Sequence, residues 1–220
     1  MAEVVGMLEL DVLGEQVGRG QIETVLVVFP DLYGRLMGKR IDGGFFLDHV
    51  ATHGTHGCDY LLTVDMEMEP VSGYRFANWE RGYGDFHLAP DLSTLRVASW
   101  LDRTAMVLCD LRHEADDKFV AEAPRSILRR QVEALMQQRY DAMAGSEIEY
   151  YIFRNSYREA AEKAYHGLKP AGWYLEDYHT FQGLRAEDVH AAARRHLRES
   201  GVPVESTKGE WGCGQHELNF

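Results

Sequence analysis

The first hydrophobic pattern along the chain is residues 22–29, IETVLVVF, a β-branched apolar run of strand length that stops at Pro30-Asp31. Residues 36–41 predict the returning strand of a hairpin, with Arg35, Lys39 and Arg40 on its exposed side. Asp42-Gly43-Gly44 then leads into Phe45-Phe46-Leu47, the start of a short helix running to His53. Residues 60–68 alternate apolar and polar near their end and predict another strand. Residues 70–85 are rich in glycine and aromatics without any period, which predicts a long structured loop of the kind that tends to be functional. Three short strands follow at residues 86–89, 95–99 and 105–111, divided by Pro90-Asp91 and Asp102-Arg103. This inventory predicts a small α+β unit over residues 20–112, and the charged stretch 112–123 predicts a linker.

The texture changes at Pro124. Ile127, Leu128, Val132, Leu135 and Met136 fall at helical spacing over residues 126–140, and Pro124 stands at the helix start, where its missing N–H costs nothing. Residues 147–153, EIEYYIF, predict a strand, and residues 154–182 a loop with a short helix near 159–165. Residues 186–200 predict an amphipathic helix stopped by Gly201, and residues 202–205 begin a further strand. Helix, strand, helix and strand in that order predict a second domain over residues 122–220.

Charge and composition narrow the function. The chain has 220 residues, 35 acidic against 23 basic, for a net charge of −12. Such acidity excludes a general phosphate-backbone binder, so no nucleic acid is expected. No apolar run approaches the ~18 residues of a spanning helix, so no membrane is expected. Residues 1–20 carry acids instead of a basic leader, and the three cysteines (Cys58, Cys109, Cys213) are irregularly spaced. Both features point to a cytoplasmic, reducing location.

The candidate chemistry lies in carboxylates on apolar strands. Glu147 and Glu149 flank Ile148, and the strand period puts both on one face, with α-carbons roughly 6.5 Å apart at ~3.3 Å per residue. That spacing suits two hard cations, or one cation with a water network, or simply a solvated acidic face. The opposite face, Ile148, Tyr150 and Ile152, is expected to be buried. Glu205, Glu210 and Glu217 follow within a short span that also holds Gly209, Gly212 and Gly214, which let the backbone turn and approach a ligand. Carboxylates gathered without partners repel one another, and an oxygen-only set fits Mg²⁺ or Mn²⁺. Cys213 has no partner at zinc spacing, and no G-K-[ST] closes the glycine cluster into a phosphate loop. His53 and His56 read as a surface turn, His216 as packing opposite Glu217, Trp79 as a plug or a cover for a base, and Arg194-Arg195-His196 as a solvated helix face.

Glu147-x-Glu149, followed by Glu205-x4-Glu210-x6-Glu217 with Gly214-Gln215 before the last acid, resembles glutamine synthetase. Cys213 departs from the family's usual Pro or Ala. The first half agrees: residues 31–39, DLYGRLMGK, are similar to the family's early hairpin, residues 84–94 to its D-x4-P-D-x-S-T segment, and residues 124–128 to the start of its catalytic domain. The resemblance implies an α+β protein: an N-terminal β-grasp domain over residues 20–112, then the first part of a catalytic α/β domain with a curved antiparallel sheet over residues 122–220. It implies Glu149, Glu210 and Glu217 as ligands of one divalent metal, Glu147 as a ligand of a second, and Glu205 at the nucleotide. The implied reaction uses ATP to form γ-glutamyl phosphate from glutamate, which an amine or ammonium then attacks.

The family's ammonium-binding D-G-S-S motif is missing from residues 65–74, which resembles the divergent branch that uses organic amines. Family members form homo-oligomeric rings and continue well beyond the position of Phe220. The expectation is therefore a fragment of a longer ligase, inactive alone and holding no complete catalytic set. The alternative is a non-catalytic structural or assembly protein that keeps the fold.

Overall fold

The computed structural model describes residues 5–220, which pack as two compact units divided between Ala142 and Met143. The first unit opens with helix α1 (Leu10–Gly18), then the hairpin β1 (Thr24–Pro30) and β2 (Leu36–Asp42). The turn between them is set by Asp31, whose carboxylate accepts the Tyr33 and Arg35 amides at 2.8 and 2.9 Å and pairs with Arg35 Nε at 2.7 Å. A helical stretch over residues 43–53 (α2) leads to β3 (Thr55–Cys58), followed by the long loop and then β4 (Asp85–Pro90), β5 (Arg96–Val97) and β6 (Thr104–His113).

The sheet order is β2-β1-β6-β4-β3, with β5 on β6; β1 runs parallel to β6, and the other pairs are antiparallel. Central position explains why β1 and β6 are the most apolar strands: Val25, Val27, Phe29, Val107 and Leu111 form the core. Leu13 of α1 and Phe46 and Val50 of α2 pack into the same core. Helix α3 (Pro124–Gln137) is tied to this unit by charge. Arg125 bridges Asp110 and Asp91, at 3.0 and 2.6 Å, and Arg129 pairs with Asp110. Burial alone would raise the Asp91 carboxyl, but hydrogen bonds from Ser93 and Arg125 hold it below the usual range.

The second unit contains β7 (Glu147–Tyr151), α4 (Tyr157–Glu162), α5 (Thr180–Gly183), α6 (Glu187–Glu199), β8 (Ser206–Gly209) and β9 (Gln215–Asn219). The strands form an antiparallel sheet in the order β7-β9-β8. A capping box between Ser156 and Glu159 starts α4. No described helix is long and apolar enough to cross a membrane.

Several sequence expectations change. Residues 60–68 are not a strand: a 3-10 turn covers Asp59–Leu62, and the Asp65 carboxylate accepts the Glu67 and Glu69 amides, closing a turn that competes with extension. The expected linker is ordered structure. β6 runs to His113, Phe119 returns to pair with Arg112, and Val120 and Ala123 are buried in the first core. This core therefore extends past residue 112, and α3 packs with it. It also extends before residue 20, through α1. The strand expected from 202 begins its ladder only at Ser206, beyond Pro203, which has no N–H to donate. Ile148 is 50% exposed, not buried, because α6 covers the sheet at Tyr150, Thr207 and His216.

Candidate metal-binding face

Register assembles the acidic face. In β7–β9, Glu147 stands opposite Asn219 and Glu149 opposite Glu217; in β8–β9, Lys208 stands opposite Glu217. The two-residue strand period then puts Glu147, Glu149, Glu217 and Lys208 on the same side of the sheet. Glu147, Glu149 and Glu217 each offer an oxygen within 4.8 Å of the others. Like charges confront one another there: Glu217 first, then burial and Glu149, push the Glu147 carboxyl above its usual range. Octahedral Mg²⁺ places its oxygens about 3 Å apart when adjacent and about 4.2 Å apart when opposite. The three carboxylates would have to draw together from their present spacing to hold such an ion, and the fourth to sixth positions would be left for water or phosphate.

Glu210 lies beside this triangle, not in it. Its carboxylate is held below the usual range by a hydrogen bond with Glu217, then by one from Lys208. Glu205 is further out: it is exposed, ahead of β8, with its backbone N–H donated to the Asn219 carbonyl at 2.9 Å. Of the five glutamates marked in the sequence, the structure gathers Glu147, Glu149 and Glu217, sets Glu210 next to them, and leaves Glu205 apart.

The other side of the sheet is a buried polar network. His216, 1% exposed, sets Nε2 3.3 Å from the carboxylate of Glu176, also 1% exposed, whose other oxygen accepts the Gly214 amide at 3.1 Å. The Tyr150 hydroxyl meets His190 Nδ1 at 2.7 Å, and the two imidazoles lie 4.5 Å apart edge to face. Burial first, then the neighbouring His216 ring, lowers the His190 pKa to about 4, so this side of the sheet carries a neutral ring at pH 7. The packing role expected for His216 is what the structure shows.

Two glycines of the C-terminal cluster make room for protein, not for a ligand. A Cβ on Gly209 would meet the Glu176 carbonyl oxygen at 2.5 Å, and Gly214 has φ +76° in the turn that leads into β9. Arg194 is no solvated residue: it pairs with Glu187 and Thr207. His56 does not lie in a surface turn: it stands in β3 opposite His87. Trp79 is 84% exposed in the long loop. Lys208, Glu176 and His190 were missed in the sequence, and the only available signal was a lone cation inside the acidic C-terminal stretch.

Residues 121–220 match the family "Glutamine synthetase, catalytic domain". A gamma-glutamylethanolamide synthetase of Streptomyces coelicolor is 46% identical over 215 residues, 98% of this chain and 46% of that protein. A glutamate–isopropylamine ligase of a Pseudomonas species is 31% identical over 199 residues, 90% of this chain and 43% of that protein. The solved structure of apo GmaS shares the fold, with a TM-score of 0.70 at 21% identity over 96% of this chain and 44% of that one. The chain thus spans less than half the length of these two relatives.

Proposed function

From the membership of this chain in the glutamine synthetase family, we propose that it supplies the metal-binding carboxylates of an ATP-dependent ligase. That ligase joins an amine or ammonium to the γ-carboxylate of glutamate through γ-glutamyl phosphate. The observation that carries this reading is the triangle of Glu147, Glu149 and Glu217 made by the β7–β9 register. Glu210 extends the face, and Glu205 is assigned to the nucleotide by its position in the motif. Bound Mg²⁺ or Mn²⁺ would neutralise phosphate charge and align in-line transfer.

Residues 20–112, with α1 and residues 113–123 added to their core, are read as the β-grasp domain, supported by the β2-β1-β6-β4-β3 order with β1 parallel to β6. Residues 122–220 are read as the first part of the catalytic domain. The ethanolamide and isopropylamine named for the relatives favour a small organic amine over ammonium as acceptor. A cytoplasmic homo-oligomeric ring is part of the same reading. Among the described residues, Lys208 is the cation paired with the acidic face. Phosphoryl transfer needs several cationic groups about the transferred phosphate, so the 220 residues alone are expected to be inactive.

The test joins residues 1–220 to the remainder of the Streptomyces relative and assays γ-glutamyl product by mass spectrometry. Glutamate and ATP are supplied with ethanolamine, isopropylamine or ammonium. The chain alone should give no product, the chimaera should give one, and Glu149→Gln should silence it. A folded, metal-binding chimaera that is silent with every amine would favour a non-catalytic scaffold instead.

A further inference from the structure

Lys208 is placed where a metal would compete with it. It stands opposite Glu217 in the β8–β9 ladder, and Glu217 stands opposite Glu149. Its side chain is only 19% exposed. The ammonium pairs with Glu210, lies 3.5 Å from Glu217 Oε2 and 3.6 Å from Asp177 Oδ1, and sits 4.4 Å from the centre of the Tyr178 ring. Glu217 is therefore shared: Oε2 faces Lys208, while the carboxylate also completes the triangle with Glu147 and Glu149. Glu210, the fourth acid, is turned to the ammonium. The position suits a cation: Glu210 accepts its hydrogen bond, the carboxylates of Glu217 and Asp177 stand near as further charge partners, and an aromatic face lies beside it.

We infer that Lys208 is a tethered competitor for the divalent ion: its ammonium holds Glu210 and one oxygen of Glu217 and weakens the metal's hold on the face. This rests on the metal-binding reading above. Two effects act together. A unit positive charge a few ångströms from a dication repels it, and each tenfold change in affinity corresponds to about 1.4 kcal/mol of such repulsion. The tether also gives the ammonium a high effective concentration at the two carboxylates, which a dilute metal ion must overcome. Removing the charge frees Glu210 to join the ligand set.

The test is Mn²⁺ binding to the purified chain, read by the loss of the free-ion signal in electron paramagnetic resonance. Lys208→Met keeps the aliphatic stem against Tyr178 and removes the charge. It should lower the Mn²⁺ dissociation constant at least tenfold, whereas Lys208→Arg should stay within about threefold of the parent. Lys208→Gln takes the place of the Met variant if circular dichroism shows that the latter does not fold. A neutral variant that binds Mn²⁺ like the parent, while Glu217→Gln has lost binding, would overturn the role of Lys208 and leave the metal site standing. Undiminished binding in Glu217→Gln would overturn both.

Discussion

Glu217→Gln is expected to weaken Mn²⁺ binding on the order of a hundredfold, about 2.7 kcal/mol, with little change in thermal stability. The size follows from position. Glu217 is buried on the central strand of the β7-β9-β8 sheet, so it is the ligand least able to be replaced by water or by a swing of a neighbour. Glutamine keeps the volume and one carbonyl acceptor, so the Asn219 amide retains its partner while the charge that attracts a dication is gone. Glu147→Gln should cost less, since Glu147 is exposed and its charge is the one already opposed by Glu217. Isothermal titration of the two variants and the parent reads the order directly.

Asp110→Ala should lower the stability of the first unit by about 3 kcal/mol, a drop in melting temperature of roughly 6–12 °C. Asp110 is buried on β6 and accepts from both Arg125 and Arg129. Alanine would leave Arg129 without that partner and Arg125 with Asp91 alone. Breaking such a pair costs more than the pair contributes, because the remaining charge stays partly desolvated. α3 should loosen first. Amide exchange over Pro124–Gln137 should accelerate in the variant while β1 and β7–β9 keep their protection. A melting temperature within 2 °C of the parent would show that apolar contacts, not the ion triad, hold α3.

The local parts of the fold were legible because their signals are local. The apolar run ending at Pro30-Asp31 and the turn around Gly34 specify the β1–β2 hairpin, and the spacing in residues 126–140 specifies α3. α1 was missed because Leu10, Leu13 and Val17 are few among polar residues, yet Leu13 is fully buried. The strand expected at 60–68 fails at both ends: a 3-10 turn takes Asp59–Leu62, and the Asp65 side chain captures two amides further on. The site was half legible. Motif spacing marks Glu147, Glu149, Glu210 and Glu217, but only cross-strand register reveals that Lys208 faces Glu217. Glu176 falls in a polar stretch that reads as loop, and nothing local indicates that it is buried against His216, forty residues later.

The acidic face itself is tested most directly by Mn²⁺-induced broadening in amide correlation spectra of the chain at substoichiometric metal. If Glu147, Glu149 and Glu217 hold the ion, amides of Glu147–Tyr151, Ser206–Gly209 and Gln215–Asn219 should vanish first. Broadening centred instead on another acidic segment, such as Asp116-Asp117, or spread evenly over the chain, would contradict the account.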